Sequence, residues 1–198
     1  MKMRLTLLTS ILLLSGCLSS YQPYAGKVIE LQGANVAFEP INPSSQMNYT
    51  LDGRSFSVIN DATDYQEHTH AAIFNDSEIS RDPITGVTLS NYAYEGAHAT
   101  LPLPSYAAIT NMNNGRRLIV KLVARSPMKA DKTLSLSRFV ADRLMLTENT
   151  LVQLDVITLA NDGSADKQHK EFVESVRQSY PVPELPDVTM PTLDADKK

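Results

Sequence analysis

Tryptophan is absent, cysteine occurs once, and aromatic residues make up only 7% of the 198-residue chain. Each shortage removes a class of explanation. A single cysteine permits no intramolecular disulfide, so the fold must rest on its own core. The missing tryptophan weighs against a deep carbohydrate groove, because such clefts often stack sugar rings on aromatic platforms. Positive charge is short as well: 18 Lys and Arg stand against 22 Asp and Glu, a formal net charge of −4. Nucleic acid is disfavoured as a partner, since that binding draws on clustered positive charge. No internal repeat, Gly-rich phosphate loop or metal-ligand cluster is visible, and no cofactor is implied.

What is present begins at the amino terminus. Lys2 and Arg4 form a short positive region, and Leu5 to Leu14 is apolar apart from Thr6, Thr9 and Ser10. This is the layout of a secretory signal, and its apolar core is too short to span a bilayer. The run Leu14-Ser15-Gly16-Cys17 resembles the lipobox of bacterial lipoproteins, in which a lipid-bearing cysteine directly follows the cut. The alternative is an ordinary signal with an incidental cysteine. Acylation accounts for the lone cysteine of an exported chain, where a free thiol is a liability. Several acyl chains, at about 0.8 kcal/mol per buried CH₂, make an effectively permanent anchor. Cleavage removes Lys2 and Arg4 and takes the net charge near −6. Leu18 follows Cys17, where Asp is the usual inner-membrane retention residue in many bacteria, so the same resemblance points to the outer membrane.

Residues 17–48 mix Ser, Gln, Pro and Gly without a sustained period and are expected to form a tether with little fixed structure. Residues 181–198 carry Pro181, Pro183, Pro186 and Pro191 among acidic side chains and are expected to be a disordered tail. The folded part lies between. Arg54 to Asn60 alternates apolar and polar residues as a half-buried strand does, and His70 to Phe74 is a short apolar strand. Tyr106 to Thr110 and Leu118 to Val123 are strands joined through Asn113-Asn114-Gly115, a hairpin signal because Asn and Gly tolerate positive φ. Ser137 can cap a short helix running to Leu146; Leu151 to Leu159 is a further strand. Lys167 to Gln178 forms a second helix with Phe172, Val173 and Val176 on one face. Many short strands with one inserted helix predict a mainly β chain folded as a small barrel, not a parallel α/β sheet.

From Met47 to Leu159 the chain resembles the rare lipoprotein A (RlpA) family. The resemblance is carried by Asp52-Gly53-Arg54, by His70-Ala71-Ala72-Ile73-Phe74, and by Gly96-Ala97-His98-Ala99-Thr100-Leu101-Pro102, which is similar to the family's Ala-Ala-His-x-Thr-Leu-Pro motif. Pro104-Ser105-Tyr106 to Thr110, Asn111 to Arg116, and Ser135-Leu136-Ser137-Arg138 with Ala141 to Leu144 follow in order with nearly constant spacing. The resemblance implies a six-stranded double-psi β-barrel over residues 49–160, a C-terminal helix over 161–180, and a protein that acts on or binds peptidoglycan. Catalytic members are lytic transglycosylases that cut glycan lacking stem peptides. Two carboxylates are implied: a Glu in a Ser-Gly-Glu-x-Phe-Asp motif and an Asp in an Asn-Asp-Arg-Gly-Pro motif.

Here the carry-over breaks. The first motif falls on Thr85-Gly86-Val87-Thr88-Leu89-Ser90 and the second on Val123-Ala124-Arg125-Ser126-Pro127, so Val87 and Ala124 occupy the acid positions. Neither side chain carries a proton, and glycoside cleavage of this kind needs a carboxylic acid to protonate the leaving oxygen. Glu95 and Asp131 are the nearest substitutes by sequence; each is otherwise an acid solvating a loop. His98 is the retained candidate, either lining a cleft against sugar as a residual acid or base, or tying the loop before Leu101 to the barrel. Arg125 either grips glycan oxygens in bidentate fashion or holds backbone carbonyls of a neighbouring loop. Tyr92 and Tyr94 offer a stacking surface or are ordinary loop tyrosines. His68 and His70 are two apart with no third ligand, so a strand-edge position is expected and no metal.

Three functions follow. A lipid-anchored module binding peptidoglycan strands without cutting them is favoured by the residue chemistry. A lytic transglycosylase working through a relocated carboxylate or His98 would show an acid in the cleft. A scaffold that binds cell-wall or division proteins would show a filled cleft beside an exposed apolar patch. The chain ends too soon after the barrel for an additional glycan-binding domain, so none is expected.

Overall fold

The structure, a computed structural model, describes residues 26–127, 129 and 132–179. The signal segment, Cys17, Asp131 and the tail beyond Ser179 lie outside the described residues. The strands in chain order are β1 (Ile29–Glu30), β2 (Tyr49–Leu51), β3 (Arg54–Phe56), β4 (Gln66–His70), β5 (Ala72–Ile73), β6 (Glu95–His98), β7 (Ser105–Asn111), β8 (Arg116–Ala124), β9 (Leu134–Leu136) and β10 (Leu151–Ile157). Helix α1 (Arg138–Leu144) precedes β10, and α2 (Lys170–Ser179) follows it.

One sheet of eight strands runs in the order β4-β10-β7-β8-β6-β9-β5, with β1 alongside β8. Its two end strands, β4 and β5, are consecutive in the chain and separated only by Ala71, so the sheet bends round into a nearly closed barrel. This explains why the apolar run from His70 to Phe74 is not one strand. Up to His70 it pairs with β10, and from Ala72 it pairs with β9 on the other side of the barrel. The structure is mainly β with two small helices, as the sequence predicts.

The strongest local signals hold. Gly115 takes φ +71° at the turn between β7 and β8, whose strands pair antiparallel from Ser105–Leu122 to Thr110–Arg117. The Ser137 side chain accepts the amide of Val140 and starts α1, which ends at Met145 in the left-handed region. Helix α2 begins three residues later than expected. Asp166 accepts the His169 amide at 3.0 Å and the Thr158 amide at 2.9 Å, so one carboxylate caps the helix and ends β10. Arg54 to Asn60 is strand only to Phe56, and there it pairs with β2 in a separate two-stranded ribbon.

The inner core gathers Leu101, Leu103, Ile109, Leu118, Leu122, Leu134, Leu136, Leu144 and Leu154. Outside the barrel, Phe172, Val173 and Val176 of α2 cover Ala108, Ile119 and Ile157. Residues 26–48 differ from the expected loose tether. Ile29 and Glu30 pair in parallel with Arg116 and Arg117, Ala34 donates to the Ile119 carbonyl, and Val36 is buried under α2. Gly33 explains the close approach: a Cβ there would lie 2.4 Å from the Ile119 nitrogen.

Candidate functional site

The two positions where the RlpA motifs carry acids come together in space, and the place is apolar. Ala124, at the end of β8, is fully buried in a cluster with Phe74, Leu89, Ala97 and Val123. Val87 packs on the same cluster, together with Ile79. It is delivered by a turn that passes through Gly86 at φ +73°, closed by the Arg81 guanidinium on the Gly86 carbonyl at 2.9 Å.

That turn is stapled to β8 by Asp82, which the sequence reading passed over. One carboxylate oxygen accepts from the Ile84 and Thr85 amides and the Thr85 hydroxyl. The other accepts from the Arg125 and Ser126 amides, both at 2.7 Å, and from the Ser126 hydroxyl. Burial opposes its charge, but these backbone donors outweigh it and hold the pKa below the ordinary value. The signal was the Asp82-Pro83 pair, a turn initiator.

His98, the last residue of β6, is 0% exposed. Its Nδ1 accepts from the Thr100 amide at 3.2 Å and the Leu101 amide at 3.1 Å. Those donors assign the tautomer: Nε2 carries the proton and donates it to Glu67 Oε2 at 3.0 Å. Burial, the largest influence, depresses the imidazole pKa, so the ring stays neutral. Both ring nitrogens are therefore spent inside the protein, fixing the chain that leads into Pro102.

Glu67 is the second residue the sequence reading missed. It stands on β4, 31 residues before His98, in no motif. Its carboxylate takes hydrogen bonds from His98, from the Tyr65 hydroxyl at 3.0 Å, and a short one from the Thr133 hydroxyl. Burial works against its charge; the three donors prevail and place the pKa well below the usual carboxylate range. A carboxyl that remains ionised at neutral pH has no proton to give to a leaving oxygen.

Arg125 is also sealed from solvent. Its Nη1 donates to the His98 carbonyl and its Nη2 to the Ser45 carbonyl, both at 2.7 Å, with the guanidinium 5.3 Å from the Tyr49 ring centre. Glu95 spends a carboxylate oxygen on the Ser90 amide at 2.9 Å. Tyr94 packs edge-on against Phe139, and Arg143 covers both rings. Tyr92 is 78% exposed, its hydroxyl 3.3 Å from Asp76. His68 and His70 lie exposed on β4, and among the described residues no group of three or more His, Cys, Asp or Glu could hold a metal.

One opening lies beside the loop that His98 holds. It is a groove of about 220 Å³ between residues 37–41 and the barrel, lined by Phe38, Ile41, Pro102, Pro104, Tyr106 and Ile157, with Asn60, Asp61, Thr63 and Ser105 among its polar groups. Phe38 and Ile41 are exposed on it. On its wall Glu39 accepts from the Tyr106 hydroxyl and the Lys121 ammonium, each at 2.7 Å.

Comparison with known proteins gives many matches bearing one name. A protein of Yersinia pestis called "Endolytic peptidoglycan transglycosylase RlpA" is 35% identical over 168 residues, 85% of this chain. The chain is a relative of the RlpA proteins. The RlpA of Escherichia coli K12, named in the same words, is 36% identical over 83% of the chain, and that of Pseudomonas aeruginosa PAO1 is 33% identical over 59%. The chain spans less than half the length of each: 47%, 45% and 34% respectively. No family model matches it. Val87 and Ala124, the positions at which the sequence resemblance expects the motif acids, both belong to one hydrophobic cluster.

Proposed function

We propose that this chain is an RlpA-type envelope lipoprotein that holds peptidoglycan glycan strands without cutting them. One observation carries the reading. Val87 and Ala124 occupy the two acid positions and pack into the same apolar cluster, so the pair that would move protons has been replaced as a unit. The carboxylates nearby do not substitute for it. Glu67 is held ionised by three donors, and Asp82 is occupied by six.

The glycan strand is assigned to the groove between Phe38 and Pro102. Its aromatic faces suit sugar rings, and its amide, hydroxyl and carboxylate groups suit sugar hydroxyls. His98 acts there as a positioning residue, setting the Thr100–Leu101 turn that leads into the Pro102–Pro104 wall. Lipid on Cys17 keeps the barrel in the envelope facing the periplasm, on the outer membrane by the residue at position 18.

The test is to incubate the mature, Cys17-free protein with stem-peptide-free glycan strands, scoring pelleting and release of anhydro-ended fragments. Pelleting without fragments is expected, weakened at least about fivefold by Ile41→Asp, the loss of one well-packed apolar contact. Fragments that vanish in Glu95→Gln or Glu67→Gln would overturn the reading. A second reading, an envelope scaffold binding a protein partner, is favoured by the exposed Phe38 and Ile41; absence of pelleting with any glycan would select it.

A further inference from the structure

The β7–β8 hairpin separates two ends of the barrel. His98, Ala124, Arg125 and the groove lie at the end where β7 begins and β8 finishes. The Asn113–Asn114–Gly115 turn marks the opposite end, about 20 Å away at the rise of a seven-residue strand. A different surface is assembled there. The Ile29 amide donates to the Gly115 carbonyl at 2.9 Å and Ile29 lies opposite Arg116, which brings Lys27 and Val28 beside the turn. The Asn111 and Asn114 side chains bind the Leu144 carbonyl at 2.8 and 3.2 Å, and Arg116 binds the Arg143 carbonyl at 2.9 Å, which brings the end of α1 to the same place.

The result is a patch of Lys27, Val28, Ile29, Arg116 and Met145. Val28 is 38% exposed, Ile29 47% and Met145 62%. Among the described residues no carboxylate pairs with Lys27 or Arg116, whereas the neighbouring Arg117 is paired with Glu30 and the Arg143 guanidinium lies over the Tyr94 and Phe139 rings. On a chain of net charge −4 this sets two basic side chains beside apolar tips. It is also where the described chain begins. From Cys17 to Gly26 is nine residues, a reach of at most about 30 Å when fully extended.

We propose that this patch seats the barrel on an anionic phospholipid surface, with Val28, Ile29 and Met145 at the headgroup boundary and the basic groups on phosphates. The end bearing His98 and the groove then faces away from the bilayer. This rests on the reading that Cys17 carries lipid. A tether this short keeps the patch at high local concentration near the membrane, so weak contacts suffice to orient the barrel.

The experiment couples the mature chain through Cys17 to a maleimide lipid in vesicles and follows amide hydrogen exchange. On phosphatidylcholine vesicles containing phosphatidylglycerol, exchange is expected to slow at residues 27–30 and 113–116 and to stay unchanged at 100–104. Lys27→Glu with Ile29→Ser, both at exposed positions, should abolish the slowing. In the uncoupled Cys17→Ser chain, Lys27→Glu alone should lower partitioning to the same vesicles about 25-fold, two charge steps at about fivefold each. Equal behaviour on pure phosphatidylcholine, or slowing at 100–104 instead, would overturn the orientation. Failure of Cys17 to incorporate labelled palmitate in cells would remove the anchor itself, an outcome separate from the vesicle result.

Discussion

Two neighbouring regions of this barrel, joined within single strands, have opposite chemistry. On β6, Ala97 belongs to the apolar cluster and His98 to the polar network; at the end of β8, Ala124 belongs to the first and Arg125 to the second. In the polar network Glu67, His98, Arg125 and Asp82 are linked to one another or to backbone, and the Arg125 Nε is the buried nitrogen left without a partner. The cluster joins the hydrocarbon side chains of Phe74, Leu89, Ala97, Val123 and Ala124. The polar half shapes loops, and the apolar half holds Val87 and Ala124. Architecture and reactivity are therefore separable over the distance between adjacent residues.

The sharpest way to break the polar half is Arg125→Met. It leaves the His98 and Ser45 carbonyls buried without donors and should cost roughly 3–5 kcal/mol in urea unfolding. The complementary test is Ala124→Asp. An ionised carboxylate in the cluster should cost about 3 kcal/mol at neutral pH, a deficit that shrinks in acid as the group takes up a proton.

A third test uses pH. His98 and Glu67 both have depressed pKa values when folded, so the unfolded chain binds protons more readily at each. Their contribution to stability is complete above the unfolded values, 6.5 for the imidazole and 4.5 for the carboxyl, and falls away as pH drops through the lower folded values. Unfolding midpoints should decline from pH 7 toward pH 3. Glu67→Gln should lower the neutral-pH midpoint and flatten the acidic part of that decline; an unaltered slope would show that the Glu67–His98 link is not the source. The smallest effect is expected from Tyr92→Ala, within about 0.5 kcal/mol as for an exposed side chain, and it should leave glycan pelleting intact if the groove is the seat.

The sequence displayed features that act over a few residues. Asn114-Gly115 announced the hairpin, Ser137 the start of α1, and Phe172, Val173 and Val176 the buried stripe of α2. It also singled out Val87 and Ala124, which the structure packs into one cluster. What stayed hidden depends on strand pairing between distant segments. Glu67 meets His98 only because β4 and β6 lie on facing parts of a closed sheet, and nothing in Gln66 to His70 marks one alternate residue as a network member. Residues 29–36 carry no periodic pattern since their docking uses backbone amides and the bare Cα of Gly33.

Asp82 has a consequence for how this lineage can change. A single side chain fastens the turn bearing position 87 to the strand end bearing position 124, and it does so through main-chain amides that any residue at those positions leaves in place. The spacing of positions 87 and 124 is thus set independently of the side chains that stand there.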